Sequence, residues 1–137
     1  MKITLCGSMK FSDQITDIQK QLEDNGHEVY CPVKVSGLNY WEEDGSKRVE
    51  AKKSLNLAKT HLDKIEASDA ILVCNYTKGD IENYIGPSTF IEMAFAHYRD
   101  KKIYVLNPLP NQKYIDDELQ SYDAVLIDGD LSKIFDK

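Results

Sequence analysis

Short apolar, β-prone runs alternate along this chain with stretches whose apolar residues recur every three or four positions. Lys2 to Cys6 reads as a first strand running into the turn Gly7-Ser8. Phe11, Ile15, Ile18 and Leu22 then keep helical spacing, with Ser12 or Asp13 able to cap the helix and Asn25-Gly26 ending it. His27 to Cys31 reads as a second strand, closed by Pro32. Between Ser46 and Glu66 the pattern is helical again, with Ala51, Leu55, Ala58, Leu62 and Ile65 on one stripe. Asp69 opens a buried strand, Ala70 to Cys74. Gly86-Pro87 starts a helix that runs to about Arg99, with the proline at the first helical position. Ile103 to Leu106 and Ala124 to Ile127 complete the strands. A short helix from Tyr114 to Gln120 separates them, and another is expected near Leu131 to Phe135.

Strands alternating with helices imply crossover units and a mostly parallel sheet. No repeat, low-complexity tract or linker interrupts the pattern. The expectation is a single α/β domain over residues 1–137, a doubly wound, flavodoxin-like or Rossmann-like parallel sheet of about five strands with helices on both faces. Ligands of such sheets bind beyond the carboxyl ends of the strands. That rule singles out Gly7 to Phe11, Tyr76 to Ser88 and Asn107 to Pro110. The aperiodic segment from Lys34 to Gly45, with Tyr40 and the sole tryptophan, Trp41, reads as a loop over a site or a subunit contact.

Composition narrows the partners. A net charge of -6 argues against a nucleic acid polymer, which needs a concentrated basic surface, but leaves room for a small anion in one local pocket. The Lys47, Arg48, Lys52 and Lys53 group reads as a solvated helix face. The odd set Cys6, Cys31 and Cys74 argues against a disulfide framework, and no Cys/His spacing suggests zinc. These thiols read as buried, reduced and structural. No apolar run approaches the ~20 residues of a membrane span, and no signal segment follows Met1. A cytoplasmic setting, no membrane, no metal and no cofactor are the expectations.

Four features can carry chemistry. Glu92 interrupts the apolar helical run Phe90 to Ala96, whose core stripe reads as Ile91, Ala94, Phe95 and Tyr98. One residue on, about 100° round the helix, its carboxylate leans back toward the end of the third strand. A carboxylate among apolar groups is costly unless it is paired or has a task, although a boundary glutamate facing water fits the same pattern. Gly7 and Ser8, between a strand and a helix start, suit either a small anion seat with Lys10 or a plain capped turn. Asp69 fits a helix-to-strand turn. Ser88 and Thr89 either cap their helix or donate to a sugar or phosphate oxygen. His27, His61 and His97 show neither metal nor triad spacing and read as surface or boundary residues.

The segments LCGSMKF, SDAILV and IGPSTFIEMAFAH, in that order and followed by KKIYVLNP, resemble the nucleoside 2-deoxyribosyltransferase superfamily, which includes the 2'-deoxynucleoside 5'-monophosphate N-glycosidases. The resemblance runs from Met1 to about Pro110. It implies a flavodoxin-like fold and a double displacement in which a glutamate attacks the anomeric carbon, the base leaves, and a second base or water resolves the glycosyl-enzyme. By motif match, Glu92 takes the nucleophile's place, and Asp69 that of an aspartate holding the sugar or assisting at the base. Gly7 and Ser8 match the loop at the sugar's 5' end, where Ser8 and Lys10 reproduce a phosphate-binding serine and basic residue. Two positions depart from the pattern. Thr4 stands where the family's first strand carries a tyrosine that orients the nucleophile, a role open to Tyr76 or Tyr84. No acid precedes the glutamate in Gly86 to Thr89, which favours a phosphate-type pocket over base exchange. The resemblance also implies a homo-oligomer, a dimer or higher, consistent with the loop aromatics Tyr40 and Trp41.

The sequence thus points to cleavage or exchange of the N-glycosidic bond of a nucleoside or nucleoside 5'-monophosphate. The substrate-contacting set is Gly7, Ser8, Lys10, Tyr76, Ser88 and Thr89, around Glu92 and Asp69. A catalytically silent nucleotide-binding or sensing module on the same fold is the alternative.

Overall fold

Residues 1–135 are described in the computed structural model. Five parallel strands form one sheet: β1 (Lys2–Cys6), β2 (Glu28–Tyr30), β3 (Ala70–Val73), β4 (Lys102–Val105) and β5 (Val125–Leu126), in the spatial order β2-β1-β3-β4-β5. The fold class is as the sequence predicts. In this order the chain reverses direction across the sheet between β1 and β3, and the loops leaving those two strands part to open a crevice.

Burial on both faces explains the apolar strands: Ala70 to Val73 has no exposed residue. On one face α1 (Ser12–Asp24) lays Ile15, Ile18 and Leu22 over Ile3, Leu5, Leu72 and Tyr104. Full burial of such a side chain contributes roughly 1.5–3 kcal/mol. On the other face, α3 (Leu57–Glu66), α4 (Pro87–Tyr98) and α5 (Asp116–Ser121) bring Ile65, Met93, Ala96 and Leu119 against Ile71, Val73, Ile103 and Val105.

Three expectations are corrected. The helical stretch from Ser46 to Glu66 breaks in two, α2 (Ser46–Ser54) and α3, at Asn56, whose φ of 49° is left-handed. Its charge-rich first half buries no residue, and Leu55 is 52% exposed, so the core holds only the second half. In α4 the buried stripe is Thr89, Met93 and Ala96, while Ile91 and Tyr98 point outward. That rotation brings Glu92 alongside the core stripe. The expected terminal helix is a single 3-10 turn, Leu131–Lys133, anchored by buried Ile134.

Candidate active site

A cleft of about 510 Å³ opens at the carboxyl ends of β1 and β3. The exit of β1 supplies Gly7, Ser8 and Lys10, and the segment after β2 supplies Pro32, Val33, Leu38 and Tyr40. Arg48 and Lys52 of α2, and His61 of α3, form one wall. Lys78 and Tyr84 after β3, with Ser88, Thr89, Ile91 and Glu92 of α4, form the other. Gly7 lets the β1 and β3 exits approach closely, since a Cβ there would stand 2.9 Å from the Cys74 carbonyl oxygen.

Glu92 sits at the bottom of this cleft. Its side chain is 16% exposed, and burial pushes its carboxyl up to about 7, with the Cys6 thiol hydrogen bond and the Lys52 charge acting against the rise. His61 Nε2 stands 3.7 Å from Glu92 Oε1 and 3.6 Å from Cys6 Sγ. Burial, aided by the Lys64 charge, holds the imidazole down at about 4, so it is neutral at physiological pH. The Leu5 backbone opposes that shift weakly, yet Nδ1 makes no hydrogen bond of normal geometry. Burial also drives the Cys6 thiol well above its ordinary range, with the Glu92 charge adding to the rise. Cys6, His61 and Glu92 each offer one ligand atom within 4.8 Å of the others. These three groups form a polar cluster around the Glu92 carboxyl group.

The mouth of the cleft is cationic. Lys10 and Lys78 lie close enough that Lys78, together with burial and the Arg48 charge, lowers Lys10 to about 8. Their ammonium groups lie over aromatic rings, Lys10 5.3 Å from the Trp41 centroid and Lys78 4.7 Å from that of Tyr84. Lys52 Nζ donates to Ser88 Oγ at 3.1 Å, and Arg48 donates to the Glu42 carbonyl. Among the described residues, none of these four cations has a carboxylate oxygen within 4.0 Å. Adjacent unpaired ammonium groups at a cleft mouth, in a chain of net charge -6, are the electrostatics of an anion seat.

The structure sorts the sequence candidates. Gly7, Ser8, Lys10, Ser88, Thr89 and Glu92 all meet in the cleft. Ser8 also caps the 3-10 turn Met9–Phe11, accepting from Lys10 N at 3.3 Å. Thr89 is buried and Ser88 receives Lys52.

Asp69 does not join them. It lies at the amino end of β3, the central strand, at the opposite end of the strands from the cleft, where its carboxylate accepts from Lys2 N at 2.8 Å. This is the turn aspartate that the local sequence allows. Tyr76 packs its ring 5.5 Å from Phe11 and does not line the cleft, whereas Tyr84 does. Thr4 is buried against Ser68, at 2.6 Å between hydroxyl oxygens, away from Glu92. Asn107 to Pro110 is also absent from the cleft; Asn75 ties it down through hydrogen bonds with Asn107 and Pro108.

Five participants are not expected from the sequence, in which His61 and Cys6 read as boundary and structural residues, Arg48 and Lys52 as part of a solvated face, and Lys78 as one position in the loop after β3. A signal for His61 exists, since it lies four residues before buried Ile65 on α3 and thus faces inward, where a polar group demands a partner. No comparable signal marks Arg48 and Lys52, because the break at Asn56 is what turns α2 over the cleft.

Comparison with solved structures settles the architecture. A 2-deoxyribosyltransferase from Bacillus psychrosaccharolyticus superposes with a TM-score of 0.54 at 18% identity, covering 77% of this chain and 71% of that one. The CMP N-glycosidase BcmB of Clostridium botulinum gives 0.53 at 19% identity, covering 92% and 85%. This chain has the 2-deoxyribosyltransferase fold. No protein-family model matches the sequence, and neither does any curated protein. No helix among the described residues is long and apolar enough to cross a membrane.

Proposed function

We propose that the protein cleaves or exchanges the N-glycosidic bond of a nucleoside 5'-monophosphate, with Glu92 as nucleophile. One observation carries the reading: a nearly buried carboxyl group stands at the floor of a cleft whose mouth holds four cations without carboxylate partners among the described residues. Anionic phosphate at Ser8, Lys10, Arg48 and Lys78 places a sugar inward, its anomeric carbon toward Glu92. The ionised carboxylate attacks that carbon through an oxocarbenium-like transition state, the base departs with the bonding electrons, and a glycosyl ester forms on Oε. Water or a second base then takes the sugar and frees the carboxylate. The solved structures that share the fold include a 2-deoxyribosyltransferase and a CMP N-glycosidase, which supports the same bond as target. The absence of an acid in Gly86 to Thr89 favours water as acceptor.

The test is a chromatographic screen of nucleosides and their 5'-monophosphates for free base, with and without an acceptor base. Base release from monophosphates in preference to nucleosides is the expected result. Exchange only in the presence of an acceptor would make the protein a transferase. Binding of nucleotides with no base released would overturn the catalytic reading in favour of a sensing module.

A further inference from the structure

Glu92 shares its end of the cleft with two neutral groups and one cation. Cys6 approaches from β1, His61 from α3 and Lys52 from α2. Lys52 is exposed and already donates to Ser88, so it is a distant charge rather than a fixed partner. Cys6 is fully buried beneath the carboxyl group and offers only a weak S–H donor. His61 is the one strong donor on a rigid element that both borders the cleft and reaches the carboxylate, at 3.7 Å. That distance exceeds a hydrogen bond, yet such contacts tighten when ligand excludes water from the site.

The surroundings also choose the tautomer. Nδ1 is buried without a hydrogen bond of normal geometry, whereas Nε2 faces a carboxylate oxygen and a sulfur. With Glu92 ionised, a bare Nε2 would set its lone pair against the carboxylate at 3.7 Å, a cost that outweighs the poorly aligned contact of the ring with the Leu5 backbone, so the proton belongs on Nε2. The only charged neighbour on its own helix that bears on the ring is Lys64, which disfavours a second proton.

We propose that His61 is the positioning residue for Glu92: as a neutral imidazole it donates from Nε2 to the carboxylate, fixes its rotamer toward the anomeric carbon, and favours its ionised form. This rests on the proposed role of Glu92 as nucleophile but is testable without turnover. The side chain acts through Glu92 and need not touch substrate.

The experiment compares wild type with His61→Leu, His61→Gln and His61→Asn, each checked for folding by circular dichroism and thermal unfolding. Gln sets a donor near the place of Nε2. Asn is polar but too short to do so, and carries the test should the leucine variant fail to fold. With a turned-over monophosphate, His61→Leu and His61→Asn are expected to lose roughly tenfold or more in kcat with KM changed less than about threefold, and His61→Gln to recover part of the loss. The acidic limb of the pH profile should move upward in the Leu and Asn variants and return toward wild type in the Gln variant. Carbon-13 NMR of the Glu92 carboxyl group, without substrate, should show the same displacement from a wild-type midpoint of about 7.

An unchanged Glu92 midpoint with unchanged kcat would overturn the proposal. So would activity that a chelator abolishes and zinc restores, since the cluster would then be a metal site. A displaced midpoint in a protein that releases base from no nucleotide would overturn the glycosidase reading and leave His61's hold on Glu92 standing.

Discussion

At the cleft floor, burial drives the Glu92 carboxyl from its ordinary 4.5 to about 7, so a folded molecule at pH 8 carries a charge that the unfolded chain would hydrate better. The raised value means that the folded state binds the extra proton between these two pH values. Its stabilising contribution is fully present below about 4.5 and is lost as pH rises through about 7. Glu92→Gln should therefore be more stable than wild type at pH 8, by up to about 3 kcal/mol, and the gain should vanish near pH 5. Urea unfolding at the two pH values measures it, and equal stabilities at pH 8 would mean the carboxyl group is well solvated. In the proposed mechanism the attacking carboxylate must be ionised, so kcat/KM should fall as pH drops through about 7. His61 stays neutral throughout this window, because its own value lies near 4.

Among the elements, α2 carries two of the four cations and yet buries no residue of its own. It is held by polar contacts such as Arg48 to the Glu42 carbonyl and Lys52 to Ser88. Amide exchange should be faster in α2 than in α3 or α4, and a bound monophosphate should slow it more than a nucleoside does. Arg48→Ala should lower kcat/KM for monophosphates by about tenfold or more and leave nucleosides nearly unaffected, since a charged hydrogen bond contributes roughly 1.5–3 kcal/mol. Equal losses for both substrate types would show that α2 does not read phosphate.

The same element shows where the sequence stops being informative. Strand positions and the extents of helices α1 and α4 follow from apolar spacing, because the core imposes it, but the strand order and the buried stripe of α4 do not. The Gly7-Ser8 loop and Glu92 follow from their places at strand ends. The apolar pattern reports α2 as helix but not its placement, which is set by a left-handed Asn56 and by polar contacts. Asp69 misleads because the motif match competes with the strand-end rule: it opens β3 and so lies at the amino end, away from the cleft, where it accepts from Lys2 N.

For the whole molecule, a net charge of -6 surrounds one cationic mouth, which focuses the field for a small anion and repels polyanions. Exposed apolar groups cluster near that mouth: Trp41 is 59% exposed and Ile91 60%. Trp41 packs edge-on to Phe11 with ring centroids 6.0 Å apart, so its own domain covers it only in part. We propose that a second copy of the chain covers the rest. Sedimentation at micromolar concentration should find a dimer or larger assembly that Trp41→Ala loosens, and a fully active monomer would exclude a shared site.

Attack by Glu92 should leave a covalent glycosyl-enzyme, which intact-protein mass spectrometry of a reaction quenched during turnover of a nucleoside 5'-monophosphate detects. A mass increment equal to the sugar phosphate is expected, located on the peptide that contains Glu92 and absent from Glu92→Gln, which should also be slower by about a thousandfold or more. An adduct on another residue, or base release by Glu92→Gln at the wild-type rate, would contradict attack by Glu92.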